Sequence, residues 1–287
     1  MKYGVMVSTF GEFANPHAIA TLARAVEEAG WDGLFTWDHI ATASTPQARR
    51  AVAEPLIDTW VALTIVAMST KRIHFGPRVT PIPRRRPWKL ARETVSLDHL
   101  SGGRLILGVG TGFPPIIDAE FVRFGEPSDP RVRAELLDEG LDVLTGLWSG
   151  QPFSYHGQHY HVEDMTFLPT PVQSPRIPVW IAATWPNRAP FRRAARWDGV
   201  CLPQADGSLT PEETRAALEY VKQHRHSTQP FDVTWAGMTP GGDLCAATAM
   251  LAPYIEAGLT WWMESIGPGR GSLEEMQLRV RQGPPKH

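Results

Sequence analysis

Lys2 to Trp37 reads KYGVMVSTFGEFANPHAIATLARAVEEAGWDGLFTW. The short apolar run Lys2–Val7 is a candidate strand. Asn15 can cap a helix that Pro16 opens and Gly30 closes, and Ile19, Leu22, Ala23 and Val26 fall on one face of it. A second strand follows at Gly33–Trp37. The alternation continues, with strands expected at Ile73–Thr80, Arg104–Val109, Ile177–Ala182, Gly199–Pro203, Phe231–Met238 and Thr260–Ser265. Helices are clearest at Arg131–Trp148 and at Leu209–Gln223, the latter opened by Thr210-Pro211-Glu212-Glu213. Eight strands alternating with helices, without a linker-like change of composition, predict an α/β fold of the (β/α)8 TIM-barrel kind. Gly150 to Pro178 breaks the rhythm and reads as an insertion between the fourth helix and the fifth strand. Phe153–Tyr155 and His159–Val162 should form a hairpin around Gly157.

The chain has 287 residues, 43% hydrophobic and 20% charged, with a formal net charge of -2. These values exclude a disordered or collagen-like chain and disfavour a polyanion such as nucleic acid as partner. Two cysteines, Cys201 and Cys245, do not make a disulfide framework, so a reducing cytoplasm is the expected location. No export signal and no membrane-length apolar run is expected.

In a barrel of this kind, residues at the carboxyl ends of the strands converge on one mouth. Those positions are Ser8 to Phe10, Asp38 and His39, Thr80, Gly110 to Phe113, Ala182 to Trp185, Gln204, Thr239 and Glu264. The set is apolar, aromatic and sparsely charged, which suits a flat conjugated ring. His39 is the residue able to act as acid or base near neutral pH. Asp38 beside it can orient the imidazole, accept from a ring N–H, or serve as a helix cap. Asp38 and Glu264 are the only candidates for a glycosidase pair. Gly108-Val-Gly110-Thr-Gly112 lacks the third glycine of a dinucleotide fingerprint, since its sixth position is Phe113. Those glycines either admit a planar ligand or make a turn.

His156, His159 and His161 have the look of a metal cluster but lack recognisable ligand spacing, so a hairpin surface is expected and no metal is assigned. Arg84-Arg85-Arg86 reads as a solvated helix start or as a site for a small anion. Trp31, Trp60, Trp88, Trp148 and Trp180 are expected in the core. Cys201 and Cys245 are expected as small buried groups.

The run from Val79 to Gly112, VTPIPRRRPWKLARETVSLDHLSGGRLILGVGTG, together with Trp37-Asp38-His39 and the approach from Pro175 to Ala183, resembles the bacterial luciferase-like flavin-dependent oxidoreductases. The similarity covers nearly the whole chain and implies a single barrel domain over residues 1–287, the insertion included. It also implies a homodimer or larger assembly, and FMN or the deazaflavin coenzyme F-420 bound at the mouth. By that resemblance Asp38 and His39 face the ring, Val79 and Thr80 pack behind it, and Gly110 and Thr111 line the site. The cofactor phosphate would meet the backbone at Ala182, Ala183 and Thr184. The family's usual Gly-Gly is Ala182-Ala183 here, and a Cβ limits close approach. Thr184 and the helix start near Asn187 would compensate.

The reading is a cytoplasmic flavin-dependent monooxygenase or oxidoreductase. It uses reduced FMN and O2 on a small organic substrate, served by a separate flavin reductase, with His39 managing protons. The alternatives are F-420-dependent hydride transfer without O2 and a non-catalytic flavin-binding protein. A metal-dependent hydrolase built on the histidines is the remaining class. Substrate choice is assigned to the Phe113–Asp129 loop and the Gly150–Pro178 insertion, where no diagnostic pattern occurs.

Overall fold

The computed structural model describes residues 1–41, 54–204 and 209–285. Nine parallel strands form one sheet in the order β3-β2-β1-β11-β10-β9-β8-β5-β4. Their ranges are β1 Lys2–Val7, β2 Gly33–Thr36, β3 His74–Pro77, β4 Thr80–Pro81, β5 Leu107–Gly110, β8 Val179–Ala182, β9 Gly199–Gln204, β10 Asp232–Gly237 and β11 Trp261–Ile266. The sheet closes on itself. β4 pairs with β5, and Phe75 of β3 bridges to Leu105 just before β5. β3 and β4 are two halves of the third barrel position, parted at the cis peptide between Arg78 and Val79. The expected single strand over Ile73–Thr80 is therefore broken where the backbone turns into the mouth.

Helices α1 Pro16–Glu28, α2 Thr59–Ser69, α3 Pro87–Ser101, α5 Pro130–Trp148, α6 Arg188–Ala194, α7 Pro211–His224, α8 Leu244–Glu256 and α9 Leu273–Arg281 surround the strands, and a short α4 spans Ile117–Glu120. The Asn15 side chain accepts from the His17 and Ala18 N–H groups, and Pro16 occupies the first turn, which costs α1 no donor. Thr210 and Glu213 close a capping box on α7. Between α5 and β8 an antiparallel hairpin, β6 Phe153–His156 and β7 His161–Met165, pairs His156 with His161. The second arm starts two residues later than the spacing suggested, because Gly157 to Tyr160 form the turn.

The lumen is filled by Met6, Phe35, Ile106, Trp180, Cys201, Ala236, Trp261 and Met263. Trp180 and Trp261 meet edge to face at 5.5 Å. Gly199 makes room for this, since a Cβ there would lie 2.5 Å from the Trp180 ring. Trp31, Trp60, Trp148 and Trp180 are buried as expected, whereas Trp88 is exposed, with Arg86 stacked over it. Cys201 is buried, but Cys245 is exposed on α8. No helix among the described residues is long and apolar enough to cross a membrane.

Candidate active site

At the end of β2 the chain delivers Trp37, Asp38 and His39 to the mouth, and the two polar side chains take different partners. The Asp38 carboxylate is buried and accepts from Arg85 Nη2 at 2.7 Å and Nε at 3.0 Å, from Arg84 Nη2 at 3.3 Å, and from the Thr80 hydroxyl. Burial pushes the Arg84 guanidinium below its ordinary range, and Asp38 and Glu120 oppose that shift. Arg84 and Arg85 are thus internal counter-ions, while Arg86 stacks on Trp88. This replaces the expectation of a solvated helix start or a free anion site at Arg84 and Arg85.

The carboxylate that meets His39 is Glu120, at the end of α4, 81 positions away in the chain. Glu120 is buried and lies 3.0 Å from His39 Nδ1, and it also accepts from the Ile40 N–H at 3.0 Å. Arg84 is 3.7 Å from its other oxygen. An ionised carboxylate only accepts, so Nδ1 is the donor in this contact, and in the neutral ring the lone pair is then on Nε2. The His39 side chain is 25% exposed while that of Glu120 is 2% exposed, so the pair has a dry end and an open end. Sequence reasoning missed Glu120. The available signal was a lone acid between Ala119 and a buried Phe121, in the segment after β5.

His39 stands edge-on to Trp37 at 5.9 Å, and Trp37 stacks on Phe10 at 5.7 Å. Val79, Gly110 and Ala182 meet across the third, fourth and fifth barrel positions. A Cβ built on Gly110 would lie 2.9 Å from Val79 Cγ2 and 3.2 Å from Ala182 Cβ. Gly110 is therefore the residue that lets Val79 and Ala182 close together, giving a small-residue apolar surface at the carboxyl ends of these strands. Thr111 is half-buried beyond it. The Ala183 N–H donates to Cys201 O at 3.0 Å and is spent inside the barrel. Thr184 is exposed, and Asn187 caps α6 by accepting from the Ala189 N–H.

Arg78, next to Val79 in the chain, is a buried ion without a counter-ion among the described residues. Arg78 crosses the lumen and donates from Nη2 to Leu202 O at 2.5 Å and from Nε to Thr234 Oγ1 at 3.2 Å. Met6 Sδ is 3.7 Å from Nη1. Among the described residues no carboxylate reaches this guanidinium. Burial pushes its pKa down, with Cys201 opposing, and burial pushes the Cys201 thiol up.

Glu264 points away from the mouth. It accepts from Thr239 Oγ1 at 2.7 Å and Trp262 Nε1 at 3.0 Å, and it pairs with Arg270 and Arg279. It braces β10 and β11 against α9, so no acid pair with Asp38 faces a substrate. The Gln204 side chain lies outside the described residues.

The family model described as luciferase-like monooxygenase matches residues 1–260. An F-420-dependent glucose-6-phosphate dehydrogenase of Kineococcus radiotolerans is 31% identical over 219 residues, covering 76% of this chain and 61% of that protein. A coenzyme F-420-dependent tetrahydromethanopterin reductase of Methanopyrus kandleri superposes with a TM-score of 0.77 at 17% identity, covering 98% of this chain and 96% of that one. A monooxygenase of Streptomyces bottropensis superposes with a TM-score of 0.73 at 18% identity, over 98% and 97% of the two chains.

Proposed function

We propose that this chain, which belongs to the luciferase-like monooxygenase family, is an oxidoreductase that works with the deazaflavin F-420 on a small substrate bearing a hydroxylated carbon. One observation carries the choice of deazaflavin over FMN: curated relatives at 31 and 32% identity are F-420-dependent dehydrogenases. The barrel's own residues fit such a ring. Gly110, Val79 and Ala182 pack into a small-residue apolar surface at the mouth, and the buried charge of Arg78, next to Val79 in the chain, has no acid among the described residues to neutralise it. A ring that gains negative charge on reduction is a fitting neighbour for that cation. Val79, Thr80, Gly110, Thr111 and Ala182 would hold the ring. The N–H of Thr184 would meet the phosphate, since that of Ala183 is already given to Cys201 O.

Bound F-420 supplies a two-electron hydride acceptor that does not call on O2. His39 Nε2 takes the proton of the substrate hydroxyl as the carbon is oxidised, and returns it in the reverse direction. Glu120 holds the imidazole by Nδ1 and stabilises its cationic form. Asp38, fixed by Arg84, Arg85 and Thr80, anchors the turn that carries His39. Phe10 and Trp37 keep that side of the mouth apolar and exclude water.

Titration of the purified apoprotein with F-420 and with FMN, each oxidised and reduced, tests the reading. Saturable F-420 binding and alcohol-dependent bleaching of the deazaflavin band are expected. Tighter binding of reduced FMN, with O2 uptake that depends on added substrate, would replace it with the monooxygenase reading.

A further inference from the structure

The β6–β7 hairpin carries three histidines, and the structure separates them. His159 turns inward, with Nε2 2.9 Å from Glu135. His156 and His161 sit directly opposite each other on antiparallel strands, so their side chains leave the same face. Glu163 is two residues beyond His161 and shares that face by the period of two. All three side chains are more than 60% exposed, yet they converge. The two Nδ1 atoms are 3.0 Å apart, and the rings are tilted by 52°. Glu163 Oε2 is 3.3 Å from His161 Nε2 and 3.9 Å from His156 Nε2. Each residue offers one ligand atom within 4.8 Å of the others.

An ion about 2.0–2.1 Å from each donor in tetrahedral geometry requires donors about 3.3–3.4 Å apart. The 3.0 Å separation is between the two Nδ1 atoms while the 3.3 and 3.9 Å separations run to the Nε2 atoms, so the three distances do not describe one donor set. One ligand atom from each residue lies within 4.8 Å of the others, and χ rotations of these exposed side chains bring such a set together. A water-exposed imidazole pair gains little from a hydrogen bond between the rings, so that bond alone is a poor reason for three solvated groups to gather. The backbone beneath them is already held in place. Glu139 of α5 accepts from the N–H groups of Gln158, His159 and Tyr160 at 2.8 to 3.0 Å, and Tyr160 and Val162 are buried on the other face. The turn is therefore ordered before any ligand arrives, and little chain entropy is lost on binding. Two nitrogens and one carboxylate oxygen suit a borderline divalent ion rather than Ca²⁺ or Mg²⁺.

We propose that His156, His161 and Glu163 form a surface site for a divalent transition ion of the zinc class, with water completing its coordination. The site does not depend on the redox reading above. Binding ties the two hairpin arms together across the Gly157–Tyr160 turn.

Untagged protein is titrated with Zn²⁺ by calorimetry and with Co²⁺ by visible absorption at pH 7.5. One ion per chain is expected. His161→Ala and His156→Ala should each weaken binding by more than the roughly 10–100-fold that loss of an outer-shell partner costs. His159→Ala should stay within about twofold, since Glu135 holds that ring away from the site. His156→Ala and His161→Ala leave the buried face untouched, and hydrogen exchange read in parallel should slow at the hairpin on adding Zn²⁺ only where His156 and His161 are both present. Binding should also weaken as the pH is lowered to 5.5, because protons compete with the ion for the ligand atoms. Wild-type binding no tighter than that of the His156→Ala/His161→Ala double variant would overturn the proposal, as would an equal loss in His159→Ala.

Discussion

Asp38 and His39 are adjacent in the chain but do different work, and substitution should part them. His39→Ala removes a ring that is 25% exposed and leaves the buried Glu120 carboxylate with the Ile40 N–H and Arg84, so its expected cost is about 10²–10⁴-fold in turnover with unchanged cofactor affinity. Glu120→Gln offers Nδ1 both a donor and an acceptor and no longer fixes the tautomer, so kcat should drop by at least about tenfold while the fold survives. Asp38→Asn instead removes the charge that faces Arg84 and Arg85. Breaking a buried pair from one side typically costs about 3–5 kcal/mol, and the expected reading is a large fall in the urea midpoint. If His39→Ala lost stability and Asp38→Asn lost only turnover, the two roles would have to be exchanged.

Among the described helices, α2 is the one without a charged face. Its eleven residues, TWVALTIVAMS, contain no charge, and Val61 is 53% and Met68 70% exposed. A helix apolar all round belongs in an interior, and a second copy of the chain would supply one. Sedimentation should therefore give a dimer, and Val61→Lys/Met68→Lys a monomer with the barrel intact; a wild-type monomer at micromolar concentration would refute this. Element-level legibility followed the same physics. β1, α1 and α7 were readable because their signals are local: an apolar run, an Asn-Pro cap, a Thr-Pro-Glu-Glu start. The break between β3 and β4 was not, because a cis peptide leaves no mark in residue type. Gly110 and Ala182 were named as mouth residues from strand-end counting and Val79 from the family resemblance, and the three do pack together. Glu120 escaped because its partner lies far along the chain, and Glu264 was misplaced because counting to a strand end does not say which face a side chain takes.

The whole barrel has a pH dependence written into its lower end. His74, at the start of β3, has its pKa lowered by desolvation and then by Lys2, with Arg104 and Asp232 also nearby. Above the ordinary histidine value near 6.5 it is neutral folded and unfolded, and contributes no slope. As pH falls below that value the unfolded chain takes up the proton first, so stability declines towards the lower folded pKa. Urea midpoints at pH 7.5 and 5.5 should differ more for the wild type than for His74→Asn, and equal differences would remove His74 as the cause. The buried charge of Arg78, with no acid partner among the described residues, should act differently in apoprotein and in holoprotein. Arg78→Met removes a costly buried charge but leaves Leu202 O and Thr234 Oγ1 without their donor, two effects that oppose each other. Apoprotein stability should then change by only about 1 kcal/mol in either direction. Reduced cofactor loses its cation, however, so the bound midpoint potential should move negative by at least about 30 mV, equivalent to ~1.4 kcal/mol for two electrons. A bound potential that stays put while the cofactor still saturates the variant would mean that Arg78 braces the lumen and does not act on the ring.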